Sequence, residues 1–271
     1  MSAPVITFLS DFGLQDDFVG TCHGVIARIA PEARVIDLTH GIPPQHVLQG
    51  ALVLANTLPY MPQGVHLAVV DPGVGTERRA VAIRDGDGRL LVGPDNGLLV
   101  PAADRLGGAE RAWQLANEEL MLRPVSRTFH GRDVFSPAAA HLARGVDPDE
   151  LGPAVAVEDL VRLDLPQPEI GRSSLRATIL YVDRFGNVQL NLTHEEAALA
   201  GIAPGVRLEL KLPLESYYAV ATRTFAEARP RDLILYEDSY GNLAIAINGG
   251  DAARMLQASP GDVVRIAVVA E

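Results

Sequence analysis

Residues 4–150 alternate strand-length apolar runs with stretches of three-and-four periodicity, and residues beyond 172 do not. This change of texture constrains the fold more than any single motif. A buried parallel strand, an amphipathic helix and a half-buried antiparallel strand each leave a different hydrophobic period. In the first part, Val5–Leu9 is a short apolar run ending in Ser10 and Asp11. Asp16 and Asp17 open a helical pattern that carries Phe18, Cys22, Val25, Ile26 and Ile29 on one stripe and closes at Pro31. Val35–Leu38 reads as the next strand, Val47–Leu58 as the next helix, and Val65–Val70, Ala80–Ile83 and Leu90–Val92 as strands. Phe135–Ala143 reads as a helix, with Asp133 as its N-terminal cap and Gly145 just past its end. Strand, helix, strand in this order predicts an α/β fold with a largely parallel sheet flanked by helices.

Pro148, Pro153, Pro166 and Pro168 punctuate a stretch without long periodicity. The expected division is an N-terminal α/β domain over 1–150, a linker over 151–172 and a C-terminal β domain over 173–271. In the last, strand patterns fall at Arg176–Val182, Val188–Leu192, Arg207–Leu212, Asp232–Tyr236, Leu243–Ile247 and Val263–Val269. Tyr181–Asn187 and Tyr236–Asn242 share the pattern Tyr-x-Asp-x-aromatic-Gly-Asn before an alternating strand, so each reads as a hairpin turn. The C-terminal domain is therefore expected to be an antiparallel, barrel-like sheet.

Charge removes several function classes. With 34 acidic against 23 basic residues the chain is at −11, which disfavours a nucleic-acid surface; aromatics at 5% disfavour a base-stacking groove. Lys211 is the one lysine, so the N-terminal motifs have none for Schiff-base chemistry. The apolar runs are too short to cross a bilayer, and the N-terminus lacks the basic region and the cleavage site of a secretion signal. Cys22 stands alone, so no intramolecular disulfide forms; the expected location is the cytoplasm.

Asp71 follows the apolar run Val65–Val70, at a strand's C-terminal end. Pro72, Gly73 and Gly75 then allow a tight loop, from whose far side Arg78 and Arg79 can fold back toward the carboxylate. Such a pair either stabilises a turn or fixes an anion that orients water. His130, before Gly131 and a helix start, is placed to exchange a proton, although a lone loop histidine is more often an ordinary hydrogen-bonding residue. Asp11, Asp16 and Asp17 flank Gly13 at the first strand-to-helix turn, as helix-end acids or as ligand contacts. Gly93–Gly97 reads as a supporting turn. The remaining histidines show no metal-binding spacing with carboxylates or with Cys22, so no metal is expected.

Taken in order, Ser10-Asp11-Phe12-Gly13 with Asp16-Asp17, Asp71-Pro72-Gly73-Val74-Gly75 with Arg78, Phe129-His130-Gly131-Arg132-Asp133, and Asp183-Arg184-Phe185-Gly186-Asn187 resemble the S-adenosylmethionine hydroxide adenosyltransferases, relatives of the fluorinases and chlorinases. The resemblance runs from about residue 5 to 269. It implies hydrolysis of S-adenosylmethionine to adenosine and L-methionine by in-line attack of activated water at the ribose C5′. Asp71, Arg78 and His130 would act on that water, without a metal or a cofactor besides the substrate. It also implies a homotrimer whose sites are shared between subunits. By the same resemblance, Asp11 matches a ribose contact, Asp16 a contact near the methionine ammonium, and Phe129 a residue beside the adenosyl group. Asp183, Phe185 and Asn187 match contacts to methionine and adenine. Ser239 and Tyr240 match the methionine carboxylate site, and Asn248 and Gly249 backbone contacts to adenine. The chain departs from halogenating relatives at Tyr240, where they carry arginine, at Gln45, where the fluorinase carries a stacking tryptophan, and at Asp71, where they carry tyrosine. The rival readings are a halide-using adenosyl halogenase and a non-catalytic S-adenosylmethionine or adenosine sensor.

Overall fold

The computed structural model describes residues 3–213 and 215–269. Met1, Ser2, Leu214, Ala270 and Glu271, which fall within the expected domain spans, lie outside the described residues. The chain forms two compact units, Met1–Leu163 and Asp164–Glu271.

In the first unit, β1 (Val5–Ser10), β2 (Arg34–Thr39), β3 (Val65–Val69), β4 (Ala80–Asp85), β5 (Leu90–Pro94), β6 (Ala109–Gln114) and β7 (Ala154–Val155) form one sheet in the order β2-β1-β3-β5-β4-β6-β7. The pairs β1–β2, β1–β3 and β3–β5 are parallel, whereas β4–β5, β4–β6 and β6–β7 are antiparallel. All strands but β4 and β7 thus share one direction, so the largely parallel expectation holds, with an antiparallel edge. Helices α1 (Phe18–Ile29) and α4 (Ser136–Ala143) pack on one face, around Ile6, Phe8, Leu67 and Val69. Helices α2 (Val47–Thr57) and α3 (Val100–Arg105) cover the other, around Leu9, Ala68, Val70 and Leu91. Successive β3 residues feed opposite cores, which is why that strand reads as an unbroken apolar run.

Because β1 lies between β2 and β3, the chain reverses direction across the sheet there. The crevice outside the carboxyl ends of β1 and β3 is the topological switch point, where open α/β sheets bind ligands. Asp11 and Asp71 follow those two strand ends.

Three local expectations change. Phe18 leaves the apolar stripe of α1 and is 40% exposed. Asp133 is not a cap: the chain enters α4 through a π-helical turn, Gly131–Phe135, so Asp133 lies inside a continuous helical run with its side chain buried. Of the stretch expected as a linker, residues up to Leu163 belong to the first unit, where Val161 donates its N–H to Asp95 at 2.9 Å. Cys22 is buried, and burial pushes its thiol up to about 11, so it packs as a small apolar group.

The second unit contains β8 (Glu169–Ile170), β9 (Ser174–Val182), β10 (Val188–Thr193), β11 (Arg207–Lys211), β12 (Ser216–Ala221), β13 (Leu233–Glu237), β14 (Asn242–Ile247) and β15 (Val263–Val268). Their order is β10-β14-β13-β12-β11-β15-β9-β8, and an additional β10–β9 pairing closes a barrel of seven strands with β8 outside it. The pairing is antiparallel except for β12–β13, which is parallel. Both expected hairpins form, at β9–β10 and β13–β14. The short helices α5 (His194–Leu199) and α6 (Ala252–Leu256) and the strand β12 carried no periodicity long enough to be read from the sequence. Among the described residues no helix is long and apolar enough to cross a membrane.

Candidate active site

Asp71 leaves the end of β3 into a loop built to bring the chain back. Val74 donates to the Asp71 carbonyl at 3.3 Å, and Thr76 donates through N–H and Oγ1 to the Gly73 carbonyl at 3.2 and 2.6 Å. Gly75 is in the left-handed region (φ +78°), and a Cβ there would lie 2.4 Å from the Arg127 carbonyl oxygen. Glycine at 75 therefore lets this loop close against the segment that leads to His130.

The return brings Arg78 onto Asp71 in a fork. Nε donates to Oδ1 at 2.9 Å and Nη2 to Oδ2 at 2.5 Å; the side chains are 10% and 7% exposed. Nη2 also lies 2.8 Å from His130 Nδ1, and the guanidinium stacks over Phe135 at 5.1 Å. A guanidinium has no acceptor, so Nδ1 is the acceptor and the neutral ring carries its proton on Nε2. Burial and then the Arg78 charge push the His130 pKa below its ordinary value, against the opposing pull of Asp71. Asp71, Arg78 and His130, separated by up to 59 positions, thus form one hydrogen-bonded trio.

Neighbouring groups hold it in place. Asn96 Nδ2, on the turn after β5, donates to the Val70 carbonyl at 2.9 Å, fixing the residue before Asp71. Arg79 does not join Asp71. It forks instead onto Asp95, with Nε at 2.8 Å and Nη2 at 2.7 Å, and reaches the Asp159 carbonyl, because the next residue in the loop faces the other way. The Asp133 carboxylate takes the Ser126 N–H at 2.8 Å and both Nε and Nη2 of Arg132, which shapes the loop before His130. Gly131 lies under Phe12: a Cβ there would be 2.8 Å from that ring.

Of the other expected contacts in this unit, Asp11 is half-buried, and its Oδ2 accepts the Gln45 N–H at 2.7 Å. Gln45 makes this bond through its backbone with φ +65°, a conformation that few residues other than glycine adopt. Burial raises the Asp11 pKa, the Gln45 N–H lowers it, and the nearby Asp71 charge adds to the rise. Phe129 packs edge-on against Phe12 (5.9 Å) and Phe18 (5.1 Å), and Phe12 and Phe18 lie 5.9 Å apart. This aromatic wall includes two residues the sequence did not single out as ligand contacts; Phe12 sat in a motif but lacked an assigned role. Asp16 is exposed on the loop before α1. His23, Asp37 and His40 meet at the end of β2, a grouping that their spacing along the sequence does not carry.

The second unit carries the remaining residues on its turns. Asp183 Oδ1 accepts the N–H groups of Phe185 and Asn187 at 2.8 and 2.9 Å, and Oδ2 accepts Asn187 Nδ2 at 2.7 Å. The Asp183 carboxylate therefore shapes its own turn, leaving Phe185 77% exposed. Asp238 does the same for the exposed Ser239 and Tyr240, accepting the N–H of Tyr240 at 2.8 Å and of Asn242 at 3.0 Å. Asn248 Nδ2 donates to the carbonyls of Phe225 and Ala228 at 3.0 and 2.9 Å, and Gly249 is exposed with φ +79°.

The model for the SAM hydroxide adenosyltransferase N-terminal domain matches residues 6–152, and that for the C-terminal domain matches residues 177–265. The chain belongs to the SAM hydroxide adenosyltransferase family. It is 50% identical over 265 residues to the (R)-S-adenosyl-L-methionine hydrolase of Salinispora arenicola, covering 98% of each chain. It is 29% identical to the fluorinase of an Actinoplanes species, over 92% of this chain and 93% of that one. Among solved structures, an uncharacterised conserved protein from Thermotoga maritima superposes with a TM-score of 0.89 at 32% identity, covering 97% of this chain and 99% of that one. Membership of the SAM hydroxide adenosyltransferase family accounts for the order of the motifs along the whole chain.

Proposed function

We propose that this SAM hydroxide adenosyltransferase homologue hydrolyses S-adenosyl-L-methionine to adenosine and L-methionine, with Asp71, Arg78 and His130 acting on the attacking water. The observation that carries the reading is the trio's contact geometry at the switch point of the sheet. The name of the 50%-identical relative supports both the reaction and a preference for the R sulfonium.

In this mechanism the water oxygen bonds to C5′ as the C5′–S bond breaks, and the bonding pair stays on sulfur as the methionine thioether. A sulfonium is already a good leaving group, so the reaction calls for no cofactor; what limits it is the weakness of water as a nucleophile. Alignment behind C5′ supplies much of the missing rate, and a fixed guanidinium beside the developing hydroxide supplies more. Asp71 takes a proton from the water as its oxygen bonds to C5′, so the attacking oxygen carries the hydroxide character that Arg78 stabilises and no oxonium builds up. His130, with Nδ1 committed to Arg78, offers an Nε2–H donor and orients the water. Asp11, Asp16, Phe129, Asp183, Phe185, Asn187, Ser239, Tyr240, Asn248 and Gly249 are taken as substrate contacts on the strength of the family resemblance. A homotrimer with shared sites and a cytoplasmic location belong to the same reading.

Halide transfer and a non-catalytic sensor are separated from it by one assay. Purified protein is incubated with each S-adenosylmethionine epimer, with and without excess chloride, and the products are resolved chromatographically. Adenosine and methionine in equal amounts are expected. A 5′-chloro-5′-deoxyadenosine product would replace the hydrolase by a halogenase, and substrate binding without product would leave a sensor.

A further inference from the structure

Two histidines and an aspartate with no metal-binding spacing converge where α1 crosses the end of β2. His23 lies on α1, Asp37 within β2 and His40 one residue past its end. Their ligand atoms all lie within 4.8 Å of one another. His23 Nε2 is 2.9 Å from Asp37 Oδ1, and His40 Nε2 is 3.1 Å from the same oxygen.

The two imidazoles are not equivalent. His23 makes an aligned hydrogen bond to Asp37. His40 is 5% exposed, and its Nε2 has no hydrogen-bond partner among the described residues, although it lies 3.1 Å from the carboxylate. A buried polar nitrogen left unpaired destabilises the fold, so it needs an explanation. One carboxylate oxygen accepting from two N–H groups would be the simplest, but the His40 alignment does not provide the second bond. The ring is held from its other side: Nδ1 lies 2.7 Å from Ser10 Oγ, and Phe8 packs edge-on at 4.7 Å. A fixed imidazole with one ring nitrogen hydrogen-bonded to a second group and the other left beside further ligand atoms is the arrangement of a metal-bound histidine.

We propose that His23, Asp37 and His40 bind a divalent transition-metal ion of the zinc class, with solvent completing its coordination. Two imidazoles and one carboxylate suit such an ion and disfavour Mg2+ and Ca2+, which take oxygen ligands. Tetrahedral coordination at zinc-ligand bond lengths separates neighbouring ligand atoms by about 3.3–3.5 Å. The 2.9 and 3.1 Å contacts therefore need to open by only a few tenths of an ångström. The His23 and Asp37 side chains are 36% and 42% exposed, which gives the ion an entry path and water ligands. The ion would tie α1 to the end of β2. The His40 carbonyl accepts the Gly13 N–H at 2.8 Å, and Ser10 Oγ accepts the Phe12 N–H at 3.3 Å, so the same clamp braces the loop that carries Asp11.

The test uses the full-length chain without a histidine tag, stripped with a chelator and titrated calorimetrically with Zn2+ and optically with Co2+. One ion per chain is expected, with cobalt ligand-field absorption in the visible, a Zn2+-dependent rise in melting temperature, and no response to Mg2+. His23→Gln and Asp37→Asn should each weaken Zn2+ binding roughly tenfold or more, while His194→Gln on α5 leaves it unchanged. Circular dichroism of the variants confirms that they are folded. Zn2+ binding of equal strength in both variants, or no saturable binding by the parent protein, overturns the proposal.

Discussion

Replacing Arg78 by alanine tests the geometry at its centre. The change removes the two bonds to Asp71 and the one to His130, and it strands a carboxylate that is only 7% exposed. Breaking a buried ion pair from one side costs about 3–5 kcal/mol, because the remaining charge stays desolvated. The loss in turnover should be of the size seen when a preorganised donor is removed, about 10²–10³-fold. Two measurements separate the effects: urea unfolding at neutral pH for stability, and initial rates of adenosine release for chemistry. A second variant separates the stranded charge from the lost chemistry. Arg78→Met combined with Asp71→Asn leaves no unpaired charge, so it should recover much of the stability that Arg78→Ala loses and none of the activity. The reasoning fails if Arg78→Ala unfolds within about 0.5 kcal/mol of the parent. It also fails if the double variant is as unstable as the single one, or if Arg78→Ala keeps turnover within about threefold, far short of the loss expected.

His66 on β3 is fully buried, and burial followed by the Arg89 charge lowers its pKa from 6.5 to about 4. The unfolded chain takes up this proton below about 6.5 and the folded chain only near 4, so stability should fall by about 3 kcal/mol between those values as the pH drops, and level off below. His66→Phe should flatten that part of the profile, measured as urea midpoints at neutral pH and near pH 4; an unaltered slope would refute the assignment. Gly131→Ala would place a Cβ 2.8 Å from the Phe12 ring. The expected outcome is a stability loss of about 1–3 kcal/mol and weaker substrate binding as the aromatic wall shifts, read by unfolding and by KM. A variant with parental values of both would show that Phe12 moves freely.

The amino-acid order determined a good deal by itself. The doubly buried strand β3 reads as a continuous apolar run because both of its faces meet cores, and the paired Tyr-x-Asp-x-aromatic-Gly-Asn turns announce their hairpins through local backbone preference. Asp71 could be placed at a strand end because an apolar run stops there, and the glycines after it marked a returning loop. Local rules could not choose between the neighbours Arg78 and Arg79, since both lie within reach of the same carboxylate. Tertiary structure decided it: Asp95, at the end of β5, claims Arg79, and Asp71 takes Arg78. The aromatic wall of Phe12, Phe18 and Phe129 and the meeting of His23, Asp37 and His40 have the same origin. Each needs strand order, which brings distant segments to one edge of the sheet, and periodicity within a segment carries no information about what another segment will place beside it.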